Sequence, residues 1–302
     1  MTPHQQELAG LLEKVGTPGK YYVEFGYNAR HWQKNSNTGN LFNWTGLLLD
    51  IDNDNPAINL HAAKITSQNI VGLFRKYGVP AEPDFVSIDI DSADLWVLRA
   101  ILSAYRPRVI QVEYNCNYEH EGFGTLAFPD PATMPSVKSD RYTTRFRWGR
   151  GGLGPVCYMG SSSASVTSVG RRAGYVVAGV QCHEPYGAER RLVHSYFCTD
   201  LLLVRDELVS WPIDEADIAT KLHSHRIHAP MSPAMALNIV DYDTFEKTGD
   251  LCYARAVASR MLRKYARTTN ITCFKELASL EPMPCSSHAA VAQLPSNGEI
   301  LA

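Results

Sequence analysis

Residues Tyr21 to Asp52, YYVEFGYNARHWQKNSNTGNLFNWTGLLLDID, decide the fold. This stretch begins with a β-branched and aromatic run that stops at Gly26, and it ends with the apolar run Leu47 to Ile51. The residues between the two runs are mostly turn and helix-cap types, too polar to form a core. The pattern therefore predicts a strand, a polar loop, a short helix and a second strand, which together make one βαβ unit.

An acid stands at the end of each predicted strand, and a glycine follows the first. Glu24 ends the first strand, Gly26 forms the turn after it, and Asp50 ends the second. In nucleotide-binding βαβ units the glycine lets the backbone approach the ligand, and the second-strand acid accepts hydrogen bonds from ribose hydroxyls. The fingerprint G-x-G-x-x-G is absent, because only Gly26 is present. This absence argues against NAD or FAD and is tolerable for S-adenosylmethionine, which has no pyrophosphate.

Strands and helices continue to alternate after this unit. Further strands are predicted near Ile58 to Lys64, at Phe85 to Ile90 and at Val109 to Tyr114, with amphipathic helices between them. Such alternation predicts right-handed crossovers and a parallel sheet. Two later apolar runs, 174–180 and 200–204, predict two more strands.

The composition divides the chain into a core domain and flanking parts. Residues 1–19 predict a lead-in helix and 20–212 the α/β domain, which is interrupted by a long loop at 115–156. Residues 213–280 predict a helical C-terminal extension, with an amphipathic helix near 215–223 and a basic helix near 250–265. Residues 281–302 predict a disordered tail.

The overall composition is that of an ordinary globular protein. Of 302 residues, 45% are hydrophobic and 20% charged, and a net charge of −2 gives no general attraction to nucleic acid or anionic membrane. No apolar run reaches the ~20 residues that span a bilayer, and the N-terminus lacks the apolar region of a secretory signal. The seven cysteines are odd in number and contain no C-x-x-C. They predict free thiols in a reducing compartment, the cytoplasm.

Several segments, taken in order, resemble one known family. They are VEFG at 23–26, SNTGNLF at 36–42, WTGLLLDIDNDNP at 44–56, DFVSIDIDSADLWVLRAI at 84–101 and RPRVIQVEYN at 106–115. The sequence is similar to class I, S-adenosylmethionine-dependent methyltransferases of the FkbM-like kind, in an uncharacterised subgroup, over roughly residues 20 to 205. The resemblance implies an α/β fold with a Rossmann-like, seven-stranded, mostly parallel sheet, in which the two late strands supply the antiparallel closing strand.

The resemblance also implies which residues hold the cofactor. They are Glu24, Gly26, Asn28, Asn37, Asp50 and Asp52. The alternative is that the strand-end acids and the turn glycine only shape a tight connection. The sequence departs from the family where a second glycine is usual, since Tyr27, Asn28 and Ala29 follow Gly26. A bulkier loop at this point would narrow the pocket or abolish it.

A second acidic cluster follows the strand at Phe85. Asp89 and Asp91 share one face of that strand, so both are candidates for the general base, or for joint binding of a divalent cation with Glu113 and Asn115. The alternative is structural: one acid caps the next helix and the other accepts bonds from backbone amides.

The run at 141–150, RYTTRFRWGR, interleaves arginines with aromatic residues. Arg145 and Arg147 are candidates for substrate contact, and the segment could bind RNA or a protein partner. A solvated loop is the alternative. Two functional hypotheses follow: an O-directed methyltransferase acting on an unidentified acceptor, and a non-catalytic, methyltransferase-like scaffold or assembly factor.

Overall fold

The computed structural model describes residues 3–26, 43–90, 93–115, 118, 124–133, 160–183, 197–224 and 239–266. Within them the strands are β1 (Tyr21–Phe25), β2 (Thr45–Asp50), β3 (Leu60–Ala62), β4 (Phe85–Ile88), β5 (Val109–Glu113), β6 (Leu126–Ala127), β7 (Tyr175–His183), β8 (Phe197–Arg205) and β9 (Val240–Asp241). The α-helices are α1 (Pro3–Val15), α2 (Ile70–Lys76), α3 (Asp94–Leu102), α4 (Ser163–Arg172), α5 (Glu215–Ser224), α6 (Tyr242–Thr248) and α7 (Leu251–Ala266).

Seven strands form one sheet in the order β3-β2-β1-β4-β5-β8-β7. β1 pairs in parallel with β2 and β4, whereas β8 is antiparallel to both of its neighbours, β5 and β7. The predicted Rossmann-like α/β sheet, seven-stranded and mostly parallel, is therefore confirmed. The strand order reverses between β1 and β4, because the connection from β3 to β4 returns the chain to the other side of β1. Ligands of open α/β sheets bind at the carboxyl ends of the strands at such a switch point.

One face of the sheet is covered by α1. Leu8 and Leu12 of this helix are buried in a cluster with Tyr22, Phe85 and Val109. Arg108 fixes the helix end: its Nε donates to the carbonyl oxygen of Gly16 at 2.8 Å, and its Nη2 to that of Val15 at 3.0 Å. A cation at a helix C-terminus satisfies carbonyls that have no partner within the helix.

The other face is covered by α2, α3 and α4, and it contains the larger core. Phe74 of α2 packs against Phe25 of β1, with ring centroids 6.1 Å apart, and edge-on against Tyr105 at 5.0 Å. These rings are buried, so apolar packing holds the helices on the sheet. This packing also stabilises the helices themselves more than their intrinsic helix propensity does.

β1 and β2 approach each other closely at Gly46. A Cβ at this position would overlap the ring and the carbonyl oxygen of Tyr22. The pairing of the two strands therefore needs a residue without a side chain here.

The strand predicted near Ile58 begins two residues later. Pro56–Ile58 form a 3₁₀ turn, which ends at Asn59 in the left-handed conformation at φ 54°. The side-chain amide of Asn59 donates a hydrogen bond to the carbonyl oxygen of Gly46 at 2.6 Å, and β3 then starts at Leu60.

The C-terminal segment contains the two helices predicted near 215–223 and 250–265, which are α5 and α7. It also contains two elements that the sequence did not predict, β9, which pairs antiparallel with β6, and α6. α6 docks on α3 through an edge-on contact of Tyr242 with Trp96 at 5.6 Å and an ion pair of Arg99 with Glu246 at 2.9 Å. The predicted domain boundaries remain predictions, and the tail at 281–302 lies outside the described residues.

The prediction of free thiols is wrong at two positions, because Cys182 and Cys252 form disulfides. Cysteine number and spacing misled the prediction, since pairing depends on which elements the fold brings together.

Among the described helices, none is both long and apolar enough to cross a membrane.

Candidate functional site

Gly26 is the first residue after β1, and residues 27–42, which follow it, lie outside the described part of the chain. Gly26 follows β1 directly and has φ 67°, a left-handed conformation that favours glycine because other residues carry a Cβ. The turn lies at the carboxyl edge of the sheet, at the switch point between β1 and β4. At Gly26 itself the backbone carries no side chain at this edge.

Asp50, the last residue of β2, uses one carboxylate oxygen to hold its own loop. Its Oδ1 accepts hydrogen bonds from the backbone N–H of Asp52 at 2.9 Å, the backbone N–H of Asn53 at 2.8 Å, and the Asn53 amide at 2.7 Å. Within the described part of the chain, Oδ2 has no hydrogen bond. One oxygen therefore shapes the connection while the other is left to accept bonds from a ligand.

The residues beside Asp50 differ in what they offer. Ile51 is 50% exposed and presents an apolar surface next to the acid. Asp52, predicted to touch the cofactor, is exposed and contributes its backbone N–H to the Asp50 turn.

A row of buried polar side chains crosses the centre of the sheet on the α1 face. Glu24 of β1 is in register with Ser87 of β4, which is in register with Gln111 of β5. All three are at most 5% exposed. Interior strands of parallel sheets are normally apolar on both faces, so this row marks the carboxyl half of the sheet as a polar environment.

A second polar row lies nearer the carboxyl edge, on the same face. Glu113 of β5 is paired with Asp200 of β8, which is paired with Gln181 of β7. Asp89 follows β4 and shares this face, because strand side chains alternate with a period of two. Sequence reasoning missed Gln111, Asp200 and Gln181. Gln111 could have been predicted, because it stands two residues before Glu113 and therefore shares its face of the strand. The position of Asp200 depends on the order of the strands in the sheet.

The acids after β4 divide into a structural and a candidate functional residue. Asp94 is 2% exposed and its Oδ1 accepts a hydrogen bond from the backbone N–H of Ile90 at 2.8 Å, which closes the connection to α3. The structural role therefore falls to Asp94. Asp89 is partly buried at the strand end, where a general base is expected.

Glu113 and Asn115 border the same edge. The backbone N–H of Asn115 donates to the carbonyl oxygen of Ser161 at 2.8 Å, which joins the end of β5 to the chain entering α4. Among the residues that the structure describes, no group of three or more His, Cys, Asp and Glu could hold a metal ion. The described residues therefore give no support to the predicted divalent cation site.

Five of the predicted site residues lie outside the described part of the chain. They are Asn28, Asn37, Asp91, Arg145 and Arg147. Of the predicted set, the structure brings Glu24, Gly26, Asp50, Asp89 and Glu113 to the carboxyl half of neighbouring strands.

Comparison with known proteins finds similarity in structure alone. No protein-family model matches the chain, and no curated protein matches it. Among solved structures, the chain is similar to magnesium protoporphyrin IX methyltransferase (ChlM) from Synechocystis PCC 6803 with bound SAH. The TM-score is 0.34 and the identity 11%, over 67% of this chain and 83% of that one. A likeness of this degree carries no argument about activity, and the FkbM-like assignment stays a prediction.

Proposed function

We propose that this protein is an S-adenosylmethionine-dependent methyltransferase of FkbM-like type that methylates an oxygen of its acceptor. The observation that carries the proposal is the hydrogen bonding of the Asp50 carboxylate. This carboxylate ends β2 beside the switch point, and one of its oxygens has no hydrogen bond within the described residues. The ribose of a nucleoside cofactor presents two neighbouring hydroxyls that such an oxygen accepts.

Other residues of the chain fit the same cofactor. Gly26, with its left-handed φ, lets the backbone come close to the ligand. Ile51 offers an exposed apolar side chain to the flat face of an adenine ring. Glu24, buried beneath this edge, supplies negative charge near a sulfonium. When bound, S-adenosylmethionine supplies a methyl group that is already activated by the positive sulfur.

The chain must then orient the acceptor and remove its proton. We assign the base to Asp89, which lies one strand away from Gly26 across the switch point, with Asp91 as the second candidate. In this assignment the hydroxyl proton of the acceptor moves to the Asp89 carboxylate. Arg145 and Arg147, which lie outside the described residues, are proposed to contact the unidentified acceptor.

A non-catalytic scaffold is the competing hypothesis. It is favoured by Tyr27, Asn28 and Ala29, which stand where a second glycine would leave room for a cofactor. The same fold would then serve to bind a protein or RNA partner, since a fold does not fix a function.

Calorimetric titration of the purified full chain with S-adenosylmethionine and with S-adenosylhomocysteine separates the two hypotheses. The methyltransferase proposal predicts micromolar dissociation constants for both compounds. Absence of binding by protein whose circular dichroism and cooperative unfolding show that it is folded would contradict the proposal and favour the scaffold.

A further inference from the structure

The loop that joins β2 to β3, residues 51–59, carries part of the surface that the cofactor is proposed to contact. It begins directly after Asp50 and contains the half-exposed Ile51. The loop then turns back along β3, where Asn55 and Leu60 form an antiparallel bridge. The backbone N–H of Asn55 donates to the carbonyl oxygen of Leu60 at 2.9 Å, and that of Leu60 donates to the carbonyl oxygen of Asn55 at 3.1 Å. The β2–β3 loop is therefore held against the edge strand of the sheet.

The orientation of the Asp50 carboxylate depends on the position of this loop. Asp50 Oδ1 accepts its three hydrogen bonds from Asp52 and Asn53, both of which belong to the loop. The next residue, Asp54, is fixed to β3, because its Oδ1 accepts a hydrogen bond from the backbone N–H of Ala62 at 3.1 Å. Residues 51–53 thus lie between two attachment points. A shift at Asp54 would move the groups that orient Asp50.

His61 of β3 contacts this loop at two places. Its Nε2 is 2.9 Å from Asn59 Oδ1, and its Nδ1 is 3.8 Å from Asp54 Oδ1. The imidazole is itself held by Tyr77 at the end of α2, on which it stacks with ring centroids 4.1 Å apart and an interplanar angle of 14°. One side chain therefore joins the β2–β3 loop to the body of the domain.

The hydrogen bond of Asn59 shows which ring nitrogen of His61 carries a hydrogen. The side-chain nitrogen of Asn59 donates to the carbonyl oxygen of Gly46 at 2.6 Å, so the side-chain oxygen is the atom that faces His61. His61 Nε2 must then be the donor. In the neutral ring Nδ1 has no hydrogen, and it faces a carboxylate oxygen of Asp54, which can only accept. A second proton, on Nδ1, converts this contact into an ion pair.

Other charged groups near the ring modify this effect. α2 presents Tyr77 and Lys76 on this side, and Lys76 Nζ donates to the Tyr77 hydroxyl at 3.0 Å and lies 4.6 Å from the centroid of its ring. The positive charge of Lys76 opposes a second proton on His61, whereas the carboxylate of Asp54 favours it. Asp54 contacts the imidazole itself and Lys76 contacts the tyrosine, so we expect the carboxylate to have the larger effect.

From these contacts we infer that His61 is a positioning residue for the cofactor site. It fixes the β2–β3 loop so that Asp50 and Ile51 are in place for the ribose and the adenine ring, and it fixes the loop more firmly when both ring nitrogens carry hydrogen. The inference rests on the proposed function, which assigns the nucleoside to Asp50 and Ile51. It adds that affinity for the nucleoside rises as the pH falls through the range in which histidine gains a proton, about pH 8 to 5.

A first experiment measures the loop without any ligand. NMR gives the solvent exchange rates of the Asp52 and Asn53 amides, which bond to Asp50, in the wild-type full chain and in His61→Phe. Phenylalanine keeps a ring to stack on Tyr77 and removes both nitrogens. We expect both amides to exchange about 2- to 10-fold faster in the variant, the effect of losing one neutral hydrogen bond. The amide of Val112, buried in β5, should keep its rate. Equal rates of the loop amides in the two proteins would overturn the inference.

A second experiment measures the affinity for S-adenosylhomocysteine by calorimetry at pH 8 and at pH 5.5. Wild type should bind about 1.5- to 5-fold more tightly at the lower pH, the effect of one partly exposed ion pair. His61→Phe should bind more weakly than wild type at pH 8 and lack this gain. The comparison of the two proteins cancels the titration of other groups, and a purely structural role of the ring would give no such dependence on pH.

Two charge variants are matched to each other. Asparagine at position 54 can still accept the hydrogen bond from Ala62 but has no charge, so Asp54→Asn should lose the gain in affinity at low pH. Asp52→Asn removes the same charge from an exposed position of the same loop and should keep the gain. Asp54 is itself 54% exposed, so this substitution leaves the fold intact if His61→Phe does not.

A gain of wild-type size in His61→Phe or in Asp54→Asn would overturn the inference, and so would a wild type whose affinity is equal at the two pH values. Absence of binding by folded wild type at either pH has a different meaning. It would contradict the proposed methyltransferase function, while the exchange rates of the Asp52 and Asn53 amides would still decide whether His61 fixes the loop.

Discussion

Replacing Asp50 with asparagine separates the two tasks of this side chain. The amide oxygen of asparagine can still accept the three hydrogen bonds that Asp50 Oδ1 receives from Asp52 and Asn53. The amide nitrogen then stands in place of Oδ2, and an N–H group cannot accept a bond from a ribose hydroxyl. We therefore expect Asp50→Asn to fold and to bind the cofactor weakly.

The expected magnitude follows from the number and type of bonds lost. A hydrogen bond to a charged group contributes about 1.5–3 kcal/mol. Loss of one such bond weakens the binding of S-adenosylhomocysteine by roughly 10- to 150-fold. The effect on stability should be under about 1 kcal/mol, because the Asp50 turn is partly exposed and keeps its acceptor.

Asp52→Asn is the matched control, because it makes the same change of charge two residues away. The Asp52 side chain is exposed, and its contact with Asp50 uses the backbone N–H. Calorimetry should give a dissociation constant within about twofold of wild type, the scale of a screened surface charge. Equal weakening in both variants would show a general effect of charge and refute the assigned role of Asp50. Unchanged binding in Asp50→Asn would refute it as well.

Three further changes test other parts of the structure. Gly46→Ala should lower the free energy of unfolding in urea by at least about 1–3 kcal/mol, because its Cβ would overlap Tyr22 of β1. Gly10→Ala in α1 is the control, since a Cβ at Gly10 has open space and should not destabilise the protein. Equal effects of the two variants would contradict the close approach of β1 and β2. Burial raises the pKa of Asp130, so the folded protein retains this proton more readily than the unfolded chain, and stability is lost as the pH rises above about 4. Asp130→Asn should therefore be more stable than wild type at neutral pH, with a difference that shrinks in acid; a difference independent of pH would contradict this. Alkylation of unreduced, denatured protein should modify at most five of the seven cysteines, because Cys182 and Cys252 are in disulfide bonds. Mass spectrometry that finds all seven cysteines modified would contradict these disulfide bonds.

The sequence was sufficient for the parts of the fold that rest on local pattern. The apolar runs predict the two parallel strands β1 and β2, and the glycine after β1 predicts a tight turn. The short helix predicted between these strands lies outside the described residues. α7 is likewise predicted, as a basic helix near 250–265. β9 was missed, because a two-residue strand has no pattern of its own and forms by pairing with β6.

In the candidate site too, local sequence predicts some residues, and the topology of the fold places others. Asp50 and Gly26 could be named from their places at strand ends. Sequence could not decide which acid after β4 is structural, since Asp94 takes that role through a hydrogen bond to Ile90 that depends on the path of the loop. Asp200 could not be placed near the site, because only the antiparallel insertion of β8 next to β5 brings it beside Glu113. Such neighbours are set by topology rather than by local sequence.

A crystal structure of the full chain with S-adenosylhomocysteine is the most direct test of the central claim. The account predicts that the ligand lies at the carboxyl edge of β1 and β2, with ribose hydroxyls within hydrogen-bonding distance of Asp50 Oδ2 and the adenine ring against Ile51. A ligand bound elsewhere on the chain would contradict the account. So would an Asp50 Oδ2 that makes hydrogen bonds to residues of its own chain and leaves no room for a ribose.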